Sequence, residues 1–218
     1  METMEKYLKP TLTIDCDAKS IKEMAQDLTR GREETTEKAR VLFYFVRDEI
    51  KYNPYSPFHL LEHYRASTIL SRREGYCVQK AVLLAALARA VDIPTRLRFA
   101  RLRNHHLPPK ALTLLGTNVM SPHGYDELYI NGKWIKATPT FDLKMCLENR
   151  IIPVEFDSTS DATFHPYNQD GKLHIEYIED CGYYPDIPLD KILSAWVQAY
   201  GSERVEWYKV NFGKPRQH

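Results

Sequence analysis

The chain has 218 residues, with 30 lysines and arginines against 29 aspartates and glutamates, a net charge of +1. This length is enough for one sizeable hydrophobic core, and we predict a single domain over residues 1–218. The charges are balanced and no long run of one sign occurs, which argues against nucleic acid or an anionic membrane as a partner.

The first ten residues, METMEKYLKP, are charged and lack the apolar stretch of a secretory signal. No segment has the roughly 18 apolar residues that a membrane span requires. The four cysteines, Cys16, Cys77, Cys146 and Cys181, are scattered without a CxxC pair, a pattern typical of reduced thiols. We therefore expect a cytoplasmic protein.

The first half of the chain contains helical patterns. Apolar residues recur at spacings of three and four over residues 20–50, which predicts two helices broken near Gly31. Residues 78–91 are almost wholly Ala, Leu and Val, which predicts a central helix buried on nearly all sides. The sequence Asp92-Ile93-Pro94 ends it.

The strand patterns follow. Residues 95–104 alternate like a half-buried strand, and two β-rich runs join at Asn131-Gly132, the dipeptide that most favours a two-residue hairpin turn. Residues 104–121 are expected to form a long loop, a lid or a disordered segment. Weaker patterns predict a strand at 172–180 and a helix near 189–200. Helices followed by strands indicate an α+β fold.

Cys77 lies at the predicted start of the central helix, two residues after Gly75, which allows a sharp turn there. Unpaired N–H groups and the partial positive charge at a helix start favour a thiolate, with a pKa below the usual value of about 8.5. The same N–H groups could hold an oxyanion. The competing interpretation is a thiol that only packs in the core.

His123 lies on the first strand of the predicted hairpin. A two-residue turn sets Ile130 opposite Lys133, and this register makes His123 a diagonal neighbour of Thr138, about 7–8 Å away at the backbone. A carboxylate would occupy this position in a Cys-His-Asp triad, whereas the chain has threonine.

Four motifs occur in order: GYC before the apolar helix, DIPTRLR, HGYDELYINGKW and KATPT. Together they resemble the transglutaminase-like superfamily of papain-type cysteine enzymes, over about residues 40–142. The resemblance implies a papain-like fold with the nucleophile helix packed on an antiparallel sheet. It also implies that Cys77 is the nucleophile, that His123 is the base, and that the substrate is a peptide or protein amide.

The chain departs from the family pattern at two positions. Thr138 replaces the aspartate of the closing Asp-Pro-Thr, and Tyr125 replaces the tryptophan of His-x-Trp-x-Glu. A threonine hydroxyl accepts a hydrogen bond from imidazole but cannot stabilise imidazolium as a carboxylate does. Asp142 and Asp157 are alternative orienting carboxylates, although both also fit loop or capping roles.

Papain-type enzymes carry a side-chain donor for the oxyanion upstream of the nucleophile, where this chain has DEIKYNPYS. Asn53 is the candidate donor, with Tyr52 behind it. An Asx turn before Pro54 is the competing interpretation for Asn53.

Two rival functions remain open at this point. The stretch His59-Leu60-Leu61-Glu62-His63 fits the H-x-x-E-H pattern of a zinc metallopeptidase. The fold could also be a non-catalytic binding module that has lost its chemistry at Thr138. The preferred prediction is cysteine-dependent acyl transfer on amides, by hydrolysis or transamidation, which requires no cofactor.

Overall fold

The structure is a computed structural model that describes residues 4–213. The helices in this range are α1 (Lys19–Thr29), α2 (Thr35–Tyr44), α3 (Ala66–Arg72), α4 (Cys77–Arg89), α5 (Pro109–Leu115), α6 (Leu143–Glu148), α7 (Leu189–Tyr200) and α8 (Ser202–Phe212). The strands are β1 (Lys51–Tyr52), β2 (Glu74–Gly75), β3 (Thr95–Asn104), β4 (Val119–Ile130), β5 (Lys133–Ala137) and β6 (Ile175–Tyr184). None of these helices combines the length and apolarity needed to span a bilayer.

The strands form two sheets. β1 and β2 make a short parallel pair, and the other four make an antiparallel sheet in the order β5-β4-β3-β6. The sequence predicted the break between α1 and α2 near Gly31, and the structure confirms it with a left-handed φ of 74° at this glycine. α2 continues as a π-helical turn at Phe45–Glu49, immediately before β1.

Helix α4 forms the centre of the molecule, because all 13 of its residues are buried. Its three polar side chains, Gln79, Lys80 and Arg89, donate hydrogen bonds to backbone carbonyls, which satisfies them inside the core. Lys80, for example, donates to the carbonyls of Arg47 and Ile50 at 2.9 and 2.6 Å. Burial lowers the pKa of Lys80 to about 7.

The hairpin has the predicted register, with Ile130 opposite Lys133 and Tyr129 opposite Trp134. Its turn places Asn131 and Gly132 at φ values of 51° and 85°, as a two-residue turn of this hand requires. Strand pairing stops at Ala137, so Thr138 follows the end of β5.

The expectation for residues 104–121 needs correction, and the C-terminal part contains one helix more than predicted. The segment 104–121 is not an irregular loop, because it contains α5 and the first residues of β4. Its prolines precede and begin α5, and Gly116 ends it at a φ of 73°, so residues that signal a loop act as helix boundaries. The structure confirms a helix at Leu189–Tyr200 but adds α8, whose largely polar sequence gave no clear pattern.

Candidate active site

Cys77 is the first residue of α4, and its position is fixed by the side chain of Gln79. The Gln79 Oε1 atom accepts a hydrogen bond from the Tyr76 N–H at 3.1 Å, which caps the helix start. The Gln79 amide group donates to the carbonyls of Pro57 and His63, both at 2.8 Å. The thiol is therefore held at the junction of three segments of the chain, and it is only 4% exposed.

The ionisation of Cys77 differs from the expectation based on its helix position. Burial raises the pKa of the thiol to about 11, although the backbone N–H groups of Gly124, Val78 and Cys77 itself act to lower it. The predicted low pKa was wrong because desolvation in this site outweighs the effect of the helix start. At neutral pH the sulfur carries its proton.

His123 lies on β4 among aromatic rings. Its ring centroid is 5.0 Å from that of Phe164, 5.7 Å from Tyr125 and 6.5 Å from Tyr177. The residue is 1% exposed, and burial lowers the pKa of the imidazole to about 3. Within residues 4–213, neither ring nitrogen has a hydrogen-bond partner. The site therefore contains a neutral thiol and a neutral imidazole.

Helix α4 and strand β4 meet at Gly124. A Cβ atom at this glycine would lie 2.8 Å from the Cγ2 atom of Val78, so only glycine allows the strand to approach the first turn of α4 this closely. Tyr177, on β6, packs its ring beside that of His123. Cys77 and His123 are the chain neighbours of the two residues that meet there, Val78 and Gly124, and no hydrogen bond joins them.

Thr138 is fully buried after β5, and its N–H donates to the carbonyl of Ala162 at 3.0 Å. Its hydroxyl has no regular hydrogen bond among the described residues, but it lies near the phenol of Tyr177 and favours the ionised form of that group. Burial outweighs this effect and raises the pKa of Tyr177 to about 12. The sequence analysis missed Tyr177, because a lone tyrosine in a weakly patterned strand gives no local signal.

Both alternative carboxylates have other partners. Asp142 caps α6 by accepting from the Met145 N–H at 2.8 Å, and its other oxygen accepts from the Tyr52 N–H at 3.5 Å. Asp157 accepts from the two N–H groups of a tight turn at 2.7 and 2.8 Å. Because neither contacts the His123 ring nitrogens, the structure does not support either carboxylate as the orienting group.

Asn53 forms the Asx turn that was the competing interpretation. Its Oδ1 atom accepts from the Tyr55 N–H at 2.9 Å, and its Nδ2 atom donates to Glu74 at 3.0 Å. Tyr52, by contrast, lines a pocket beside Cys77. Burial raises the pKa of Tyr52 well above its ordinary value, so its hydroxyl keeps its proton.

The HLLEH stretch does not have the helical geometry that the zinc prediction requires. Residues Leu61–Tyr64 form a short 3-10 helix, and the His63 Nδ1 atom accepts from the Leu60 N–H at 3.2 Å. The rings of His59 and His63 are 4.9 Å apart. In the part of the chain that the structure describes, no three His, Cys, Asp or Glu side chains are placed to bind a metal ion.

The fold defines the class of the protein as an α+β one in which a helix that begins with a cysteine packs on an antiparallel sheet. The sequence model of the transglutaminase-like superfamily matches residues 22–139, more than half of the chain. The chain therefore belongs to the transglutaminase-like superfamily, and the predicted α+β fold, with its nucleophile helix packed on an antiparallel sheet, is confirmed.

Comparison with solved structures agrees with this fold. The structure is similar to a candidate cysteine protease from Cytophaga hutchinsonii, with a TM-score of 0.57 and 18% identity over 88% of this chain and 50% of that one. The chain thus spans half the length of that protein. Two weaker matches, each over 62% of this chain and at 17% identity, are a candidate protease from Parabacteroides distasonis (TM-score 0.40, 25% of that chain) and the periplasmic domain of TgpA from Pseudomonas aeruginosa (TM-score 0.45, 46% of that chain). No curated protein matches the sequence.

Proposed function

We propose that the protein is a cysteine enzyme that attacks amide carbonyls of peptides or proteins, with Cys77 as nucleophile and His123 as base. The observation that carries the proposal is the close approach of β4 to the first turn of α4 at Gly124, next to both residues. Membership of the transglutaminase-like superfamily supports it.

The pKa values of the two groups favour proton transfer during the attack rather than before it. The pKa of Cys77 is about 11 and that of His123 about 3, so a preformed thiolate–imidazolium pair is disfavoured. His123 takes the thiol proton as the sulfur bonds to the carbonyl carbon, and returns it to the leaving amine. Water or another amine then cleaves the thioester, which gives hydrolysis or transamidation.

Thr138 is the proposed orienting residue for His123. Its hydroxyl is buried near Tyr177 and can accept from an imidazole N–H when the histidine turns toward the substrate. A neutral hydroxyl orients the ring without stabilising imidazolium, which is compatible with the low pKa of His123.

The oxyanion site combines backbone and side-chain donors. The N–H of Cys77 at the helix start is one donor, and the protonated hydroxyl of Tyr52 is the other. Asn53 is not used, because both polar ends of its side chain have partners.

The second candidate function is a non-catalytic binding module. The high pKa of Cys77 and its 4% exposure favour it, because an active thiol must be reached by its substrate.

Trapping of the acyl-enzyme distinguishes the two functions. We would incubate the protein with a library of amino-blocked peptides and hydroxylamine, and detect peptide hydroxamates by mass spectrometry. The enzyme proposal expects hydroxamates that disappear in Cys77→Ala and His123→Ala but persist in Cys181→Ala, whose thiol lies only partly buried on β6. The same peptide products from all four proteins, or from none, would favour the binding module.

A further inference from the structure

A small pocket of about 80 Å³ lies directly beside Cys77. Six aromatic side chains contribute to its wall: Tyr52, Tyr55, Tyr76, Trp196, Tyr200 and Tyr208. Three of these belong to α7 and α8, outside the residues 22–139 that match the family. We call this space the aromatic pocket.

The polar groups of the aromatic pocket are neutral. The Trp196 side chain is 9% exposed, and its indole N–H has no acceptor among residues 4–213. The Tyr200 hydroxyl accepts from the Ser121 N–H at 2.9 Å, which leaves its own O–H to donate elsewhere. Burial raises the pKa of Tyr200 to about 12 and that of Tyr208 in the same direction, so both phenols keep their protons.

No residue of the described chain that lines this pocket carries a charge. A second pocket of about 290 Å³, beyond Tyr125 and Tyr177, contrasts with it because Arg98, Lys136 and Asp180 line that space. An ion placed in the aromatic pocket would lose its hydration without gaining a charged partner.

The volume also limits the occupant. A dry cavity of about 150 Å³ in a protein core holds benzene, and the aromatic pocket is about half that size. A side chain of a few heavy atoms therefore fits with less rearrangement than an aromatic ring.

We propose that the aromatic pocket is the subsite for the acyl side of the substrate, and that it selects a small, uncharged side chain next to the amide that is attacked. This inference rests on the proposed function, since Cys77 is taken as the nucleophile. The C-terminal helices α7 and α8 then determine substrate specificity, whereas the part of the chain that matches the family provides Cys77 and His123.

The test uses reagents that report on the pocket without turnover. Alkyl methanethiosulfonates transfer their alkylthio group to a cysteine: the new S–S bond forms, the reagent's own S–S bond breaks, methanesulfinate leaves and the thiol proton goes to His123 or water. Four reagents vary charge and size: ethyl, sulfonatoethyl (anionic), trimethylammonioethyl (cationic) and benzyl. Mass spectrometry measures the modification rate of Cys77 relative to that of the partly buried Cys181 in the same molecule.

We expect the ethyl reagent to exceed both charged reagents by about 100-fold in this ratio, because desolvation penalises the ions. The benzyl reagent should also be slow. Equal ratios for charged and neutral reagents, or a preference for the cation, which would indicate an aromatic cage, contradict the proposal. So does failure of all four reagents in the folded protein when Cys77 reacts after unfolding.

A matched pair of variants on α5 tests the size limit. Leu115 lines the aromatic pocket, whereas Leu112 on the same helix is 42% exposed and does not. Leu115→Ala should raise the benzyl ratio about tenfold by enlarging the space, and Leu112→Ala should leave it unchanged. An equal response of both variants would overturn the size argument.

The failure of the enzyme function and the failure of the pocket proposal give different results. Selective modification without hydroxamate formation would refute the enzyme function while supporting the pocket. Hydroxamate formation from peptides with charged acyl side chains would support the enzyme function and refute the selectivity of the pocket.

Discussion

The two parts of the chain on either side of residue 139 make different contributions to the candidate site. The part that matches the family supplies the groups proposed to react, Cys77 and His123. The later part supplies much of what surrounds them, with Phe164 and Tyr177 against the histidine and α7 and α8 around the thiol. The first part thus supplies the proposed chemistry, whereas the second adds to the burial that sets the protonation of both groups.

The largest expected effect concerns Cys77, the proposed nucleophile in the part of the chain that matches the family. Cys77→Ala should reduce acyl transfer by at least about 1,000-fold, because no other group can form the thioester. Cys181→Ala removes a thiol of the C-terminal part and should change the rate less than twofold. Hydroxamate formation rates measure both, and retained activity in Cys77→Ala would assign the nucleophile elsewhere.

The oxyanion donors give the next largest effect. Tyr52→Phe removes a hydroxyl from the pocket beside Cys77 and should lower kcat by about 100-fold, the usual result of losing one oxyanion donor. Asn53→Ala removes an Asx turn and a hydrogen bond to Glu74, neither of which involves Cys77, so kcat should hardly change. A reversed order of these two variants would restore Asn53 as the donor.

Substitutions of two neighbouring aromatic residues of α8 test whether the C-terminal helices bury Cys77. Tyr208 is buried and lines the aromatic pocket, whereas Trp207 is 47% exposed. Tyr208→Ala should admit water and lower the pKa of Cys77 from about 11 toward its ordinary value. Each unit of this decrease raises the rate of iodoacetamide labelling at pH 8 about tenfold, because the thiolate fraction rises tenfold.

Trp207→Ala is the control for this experiment and should leave the labelling rate of Cys77 unchanged. Far-UV circular dichroism of both variants checks that α8 remains folded. If the two variants label alike, the C-terminal helices do not determine the ionisation of the thiol, and the contrast between the two parts of the chain fails.

The elements predicted correctly depend on contacts close in sequence. The apolar composition of α4, the alternation in β3 and the Asn131-Gly132 turn each determine local structure, so the hairpin register followed from the sequence. The surroundings of His123 did not, because Tyr177 reaches it through the pairing of β6 with β3. The predicted pKa of Cys77 was wrong for the same reason: a helix start is a local feature, whereas desolvation comes from every segment that packs around the thiol, including α7 and α8.

Thr138→Asp changes a residue in the part of the chain that matches the family, not in the C-terminal part. A carboxylate near His123 should raise the pKa of the imidazole, which makes it a better base and increases iodoacetamide labelling of Cys77 about tenfold. Thr138→Val keeps the shape of the side chain without the hydroxyl and should not increase labelling. A decrease in Thr138→Asp, with the fold intact by circular dichroism, would place the orienting group elsewhere.

The last expected effect is on stability in acid, where the two parts of the chain act together on His123. Its pKa is about 3 in the folded protein against an ordinary value of 6.5, so the unfolded chain binds more protons between these values. The free energy of unfolding should therefore fall as the pH decreases from 6.5 to 3, by at most about 1.4 kcal/mol per pH unit for this one group. His63 and His174, whose pKa values are lowered to about 4, act in the same direction.

Urea denaturation of the wild type and of His123→Gln at several pH values isolates the contribution of this histidine. The variant should show a shallower pH dependence by close to one proton below pH 6.5, and the same dependence as the wild type above it, where both folded and unfolded His123 are neutral. Identical slopes in acid would mean that His123 is hydrated or paired in solution. The C-terminal part would then not enclose the base.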